Sequence, residues 1–156
     1  MKKRVTIWLI LTFLWTCIIW GFSLQPADVS SDLSSGLGRW IVETILPGII
    51  EGVEAMPVQD REMWHTILRK CAHFAEYCVL GVLWSIALMS MTCRYKVRTA
   101  VVLCVLTALV DEVIQRFVPG RAGRLSDVLL DSMGAVFGVF IILLMNVFFR
   151  THAKLE

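Results

Sequence analysis

Charge is what this sequence has little of. Asp, Glu, Lys and Arg make up 18% of its 156 residues, hydrophobic residues make up 57%, and mean hydropathy is +0.71. Soluble domains run nearer a quarter charged, so the composition points to a membrane protein of one domain, residues 1–156. The net charge is only +2, and there is no Lys/Arg tract. A nucleic-acid partner is excluded on that ground. The five cysteines are odd in number and form no CxxC, and all but Cys93 sit in apolar runs. A disulfide framework or zinc site is not expected; they read as small apolar side chains. No dense Asp/Asn loop is present either. Asp127 and Asp131 offer oxygens to a divalent ion, but without such a loop neither a metal nor a cofactor is expected.

Proline is also sparse, and three of its four copies (Pro26, Pro47 and Pro57) fall between Ser23 and Gln59. The rest of the chain is free to form long helices. Val5 to Phe22 holds no charge over 18 residues, enough to span a membrane at the short end of the usual range. A cleaved signal peptide is the alternative. The run is longer than such a segment needs, carries Trp8, Trp15 and Trp20, and is followed by no small-residue cleavage pattern. It is read as a retained span. In the proline-broken stretch, Leu33, Leu37, Trp40, Ile41 and Ile45 recur at helical spacing. They predict an amphipathic segment on the membrane surface or over the bundle. The alternative is an ordered loop with a few apolar anchors.

Asp60, a favourable N-cap, is read as starting the second long helix, which runs to about Thr92. Its uncharged part, Tyr77 to Thr92, is 16 residues. That gives about 24 Å of rise, short of a hydrocarbon core about 30 Å thick. The turns carrying His73 and Glu76 must enter the membrane or its edge. The third helix has only Thr99 to Val110 free of charge, so it must continue through Asp111, Glu112 and Gln115. Pro119-Gly120 stops it. Ser126 is the expected cap of the fourth helix. The predicted fold is therefore all-α, a polytopic bundle of four transmembrane helices near 5–22, 70–92, 98–118 and 127–149, with the amphipathic segment outside between the first two.

Lys2, Lys3, Arg4, Arg94, Lys96, Arg98, Arg150 and Lys154 lie on one side, in short turns and tails with few acids. The seven cations of the other side are interleaved with carboxylates. Both termini are expected to be cytoplasmic. Ser23–Asp60 and Asp111–Asp127 then face outward.

Ionisable residues recur at one depth. Arg69, His73 and Glu76 share a face of the second helix. Asp111 and Gln115 are one turn apart on the third, beside Glu112. Asp127, Asp131, Gly134 and Gly138 form one stripe on the fourth, acidic above and glycine below, and small residues four apart let another helix approach. Ionisable groups at this depth are costly and so mark a site. Inter-helix salt bridges are the structural alternative. His73 with Glu76, Asp111 or Glu112 is a candidate acid–base set; His73 is equally a neutral, capped histidine. Arg121 and Arg124, in a glycine-containing loop, suit phosphate or carboxylate, or else pair Glu112 and Asp127. Arg69, Gln115, Asp127 and Asp131 complete the binding candidates. Ser23 and Gln25 either join that ring or cap the first helix.

Several segments together resemble the VanZ-like membrane proteins. They are Phe22-Ser23-Leu24-Gln25, Arg69-Lys70-Cys71-Ala72-His73-Phe74-Ala75-Glu76-Tyr77, Asp111 through Arg121, and Asp127-Val128 with Asp131 and Gly134. The resemblance covers nearly the whole chain. It implies a multi-span protein of the cell membrane. Its best-known member is associated with low-level teicoplanin resistance, which implies a role near lipid-linked cell-wall precursors or the lipoglycopeptide itself. The resemblance supplies no reaction, and whether the chain is an enzyme stays open. Three functions follow from the residues: a binding site for an anionic lipid or wall-precursor group, an enzyme acting on such a substrate, or a small transporter or flippase. No ionisable residue midway through a span favours the third. Membrane lipids are the partners common to all; oligomeric state is open.

Overall fold

Helix α1 spans Lys2–Ser23, α2 Val58–Met89, α3 Lys96–Arg116 and α4 Leu125–His152. A computed structural model describes residues 2–26, 44, 57–92 and 94–152. Among the described residues there are four long helices and no strand. The amphipathic segment expected between Leu33 and Ile45 lies outside them, apart from Thr44.

Three helices are long and apolar enough to cross a membrane: α1, α2 and α4. Their outward side chains are apolar. Phe13, Leu14 and Ile18 of α1 and Met133, Phe137, Phe140 and Leu144 of α4 are all exposed, while Thr12, Ser23, Ser85, Asp111, Glu112, Gln115 and Asp131 are buried. Greasy surface over a partly polar interior suits lipid rather than water as the solvent. Several hydroxyls in the helices are satisfied within their own helix. Thr12 donates to the Trp8 carbonyl at 2.7 Å, Thr107 to Leu103 at 2.9 Å and Ser132 to Val128 at 2.7 Å.

Helix α3 is the exception in composition, with Lys96 and Arg98 at one end and Asp111, Glu112 and Arg116 at the other. It does continue past the charges, as the length argument requires. Its 21 residues rise about 31 Å, the thickness of a hydrocarbon core. Helix α2 has 32 residues, about 48 Å, so its first turns reach beyond that core.

Helix ends differ from expectation in instructive ways. Helix α2 begins at Val58, after Pro57, and not at Asp60, which sits in the first turn without capping it. Proline cannot donate and is well suited to a helix boundary. Helix α2 closes at Met89, before Thr92, where the Ser90 N–H bonds back to Ile86 and Ala87 and the Lys96 ammonium caps the Met89 carbonyl at 3.0 Å. Helix α3 stops at Arg116, and Phe117 and Val118 tighten into a turn whose N–H groups reach Ile114 and Gln115. Pro119 disfavours further helix, and Gly120 takes φ 76°, which favours glycine. Helix α4 starts at Leu125. Ser126 does not cap it; its hydroxyl donates to Asp127 Oδ1 at 3.2 Å.

The most extensive interface joins α2 to α4. It is built on glycine. A Cβ at Gly134 would overlap the backbone carbonyl of Phe74, one at Gly138 that of Cys78, and one at Gly81 that of Ala135. The two backbones therefore touch, as small residues four apart permit. Phe74 and Phe137 pack beside the contact, ring centroids 5.9 Å apart. Helix α3 presents its own small stripe, Ala100, Cys104 and Ala108, all fully buried. Helix α1 joins through Ile19 and Trp15, whose indole N–H donates to the Glu76 carbonyl at 2.9 Å.

Large residues at the contact should force the helices apart. Gly138→Leu or Gly134→Leu should destabilise the chain by about 1–3 kcal/mol or more, read as a lower Tm in detergent. Gly21→Leu, where nothing lies within 4 Å of a new Cβ, should leave Tm within a degree or two. Equal melting of all three would show that the close approach does not hold the bundle.

Candidate functional site

The glycine contact fixes what lies above it. Asp131 sits one turn before Gly134–Ala135, and His73 precedes the Phe74 against which Gly134 packs. Bringing those backbones together sets His73 Nδ1 3.8 Å from Asp131 Oδ1. Helix α3 then supplies Asp111, one turn above Ala108. His73, Asp111 and Asp131 each offer a ligand atom, and the three atoms lie within 4.8 Å of one another. Both aspartates are fully buried and His73 is mostly so.

Asp111 is held from one side only. The Gln115 amide donates to Asp111 Oδ2 at 2.9 Å and approaches Ser23 Oγ at 3.4 Å. Asp111 Oδ1 has no partner, nor has either oxygen of Asp131, Nδ1 of His73, or the Tyr77 hydroxyl. Buried polar groups are normally satisfied, so this convergence is unusual.

Around the trio stand further charges. Glu76 lies within electrostatic reach of Asp111 and Arg121, and Arg69, Arg121 and Asp127 within reach of His73. Glu112 has a local task. Its Oε2 accepts the Arg124 backbone N–H at 2.6 Å, and a Cβ at Gly123 would strike the Glu112 carbonyl. This clamps the loop against α3.

Arg121 is the loop residue that turns inward. Its Nη2 donates to the Phe22 carbonyl at 2.9 Å, tying the loop to the exit of α1, while its Nε is buried without a partner. Burial lowers the Arg121 pKa from its ordinary value, and the positive Arg69 lowers it further; Asp111, Glu112 and Glu76 oppose this. An anion at this guanidinium would relieve both penalties.

Most of the residues expected from sequence are thus brought together: Ser23, His73, Glu76, Asp111, Gln115, Arg121 and Asp131, with Arg69 and Asp127 at the edge. The Arg124 side chain is exposed, and only its backbone takes part. Gln25 follows the helix end with its side-chain oxygen buried and unpartnered. Tyr77 is the residue that sequence reasoning missed. It is fully buried beside Asp111 and Asp131. Its position one turn after His73 was the available signal, but an aromatic opening an apolar run reads as core.

The salt-bridge alternative fares poorly. Among the described residues, Arg69, Lys70, Arg116, Arg121 and Arg124 reach no carboxylate within 4.0 Å, and the contact that does fall inside that limit is His73–Asp131. Helix packing rests on small residues instead.

A family sequence model described as VanZ/LLP1 matches residues 8–146. No curated protein matches the chain, and no solved structure does.

Proposed function

From the premise that the chain belongs to the VanZ/LLP1 family, we propose that it is a four-span cell-membrane protein whose outward-facing polar site binds the anionic group of a membrane lipid or lipid-linked wall precursor. Through that binding it contributes to resistance to teicoplanin-type glycopeptides or to envelope maintenance. The observation that carries the reading is Arg121, a partly buried guanidinium with an unpartnered Nε, set at the loop above the bundle. Arginine presents a planar fork that suits phosphate and carboxylate. Arg69 lies near enough to add a second positive charge.

A charged hydrogen bond contributes about 1.5–3 kcal/mol, and each 1.4 kcal/mol is about tenfold in affinity. Arg121→Ala should therefore weaken binding of short-chain phosphatidylglycerol, or of a short isoprenyl pyrophosphate, by about tenfold or more in the detergent-solubilised protein. Phosphatidylcholine of the same chain length should compete poorly. In cells, Arg121→Ala and Asp131→Asn should abolish any teicoplanin resistance the protein confers, at unchanged protein level. Unaltered affinity and full resistance would refute the reading.

The basic turns and tails support an orientation with both termini in the cytoplasm. A C-terminal fluorescent or phosphatase reporter should score as cytoplasmic, and one in the Pro119–Arg124 loop as external. The reverse pattern would move the site to the inner leaflet.

An enzymatic reading is second. It is favoured by the His73–Asp131 juxtaposition at 3.8 Å, with Asp111 alongside. A histidine beside a carboxylate is a familiar general base. Asp131 stands closer to that role than Glu76, which shares α2 with His73. Mass spectrometry of lipids and wall precursors, with and without the protein, should then reveal a changed species that His73→Ala abolishes. No changed species would leave the binding function alone.

A further inference from the structure

We infer that His73, Asp111 and Asp131 form a binding site for one divalent transition-metal ion of the zinc or manganese type. Three features combine. The donor set is one imidazole nitrogen and two carboxylates, drawn from α2, α3 and α4, with a ligand atom of each within 4.8 Å of the others. Such N/O sets take zinc, with three protein ligands and an open fourth position in reactive sites. They suit manganese less tightly. Two ligand atoms on zinc at the usual bond lengths lie about 3.4 Å apart. The His73–Asp131 separation of 3.8 Å is close to that, and small side-chain rotations close the trio.

The second feature is which atoms are free. Asp131 is fully buried with both oxygens unpartnered, and His73 Nδ1 and Asp111 Oδ1 are unpartnered as well. The separation of 3.8 Å is too long for a hydrogen bond. The site therefore presents lone pairs to a shared point. Neighbouring groups do not supply the missing partners. Arg69 and Arg121 lie near but form no ion pair with either aspartate within 4.0 Å, and Glu76, Glu112 and Asp127 add only negative charge.

The third is orientation. Gln115 holds Asp111 by Oδ2 at 2.9 Å and leaves Oδ1 free. Metal-binding carboxylates are typically fixed in this way, and losing the outer partner weakens binding by 10–100-fold. A divalent ion also balances two aspartate charges in a setting where each alone is costly. The Tyr77 hydroxyl, within electrostatic reach of both aspartates and without a partner, is a further buried polar group beside the trio.

The test is a metal titration of the full chain, purified in detergent and stripped with chelator, using zinc chloride and manganese chloride separately. One ion should bind per chain and raise Tm. Asp131→Asn and His73→Ala should each weaken binding at least hundredfold, and Gln115→Ala by about tenfold or more. Glu62→Gln, and Cys17→Ser with Cys71→Ser, should leave it unchanged. Those thiols are exposed and are the obvious source of adventitious binding. No saturable binding by the wild-type chain overturns the inference, even should a variant fail to fold. So does binding that survives Asp131→Asn and His73→Ala, or that disappears with the two thiols. No lipid enters this experiment. Its failure leaves the anion-binding reading intact, and an inert Arg121→Ala leaves the metal site intact.

Discussion

The backbone contact between α2 and α4 is the constraint on which the rest depends. In a bilayer the hydrophobic effect does not press helices together, since lipid tails are as apolar as leucine. Association must come from close packing. Gly81, Gly134 and Gly138 provide it by removing side chains where each helix meets carbonyls of the other. The same contact sets the register of α2 against α4 at the level of Phe74. One residue before Phe74 is His73, and one turn before Gly134–Ala135 is Asp131. The packing that holds the bundle thus sets the site. Helix α3 repeats the layout, with Ala100, Cys104 and Ala108 below Asp111, Glu112 and Gln115. Two helices with small residues at one level and carboxylates above form a pair of matched stripes around α2.

That layout explains how Asp111, Glu112 and Asp131 come to be buried between the helices. In the small-residue zone Gly134, Gly138, Ala100, Cys104 and Ala108 are buried between the helices. Above it the helices still lie close, and the carboxylates are enclosed between them. Enclosure raises their cost, because buried charge is stabilised only by good partners. The Gln115 amide and the Ser23 hydroxyl serve one side of Asp111, and the Arg124 N–H serves Glu112. Asp131 has no such help. The loop contributes order instead of neutralisation: Glu112 clamps it from below, and Arg121 ties it to the end of α1.

Helix length was legible in the sequence because it follows from arithmetic. Sixteen uncharged residues after Glu76 and twelve before Asp111 are too few for a span, so the helices were expected to run on through the charged turns, and α3 does run on through Arg116. The stripe of Asp127, Asp131, Gly134 and Gly138 was also legible, because spacing alone puts those residues on one face. Partners were not. Spacing along one helix cannot say which carboxylate of another will meet His73: Glu76, Asp111 and Glu112 stood as its acid–base partners, and Asp131 only as a binding residue. Helix ends were misread where a side-chain cap was assumed: Asp60 and Ser126 are good cap residues, but Pro57 and the turn at Arg124 decide the boundaries. The equivalent stripe on α3 went unnoticed because alanine and cysteine are inconspicuous in an apolar run.

The charges around the site impose an order on what it can hold. Arg121 in the loop has Arg69, Asp111, Glu112 and Glu76 in electrostatic reach, and Asp131 lies in reach of Asp111 and Glu76. An anion gains at the rim and is repelled below it, so on its own it would sit high, against the loop. A cation is repelled by the arginines and attracted by the carboxylates, so it sits low, between α2, α3 and α4. Each would improve the place of the other, since opposite charges a few ångströms apart in a poorly hydrated site interact strongly. Arg121 Nε at the loop, and the Asp131 oxygens and His73 Nδ1 between the helices, are the buried groups left without partners.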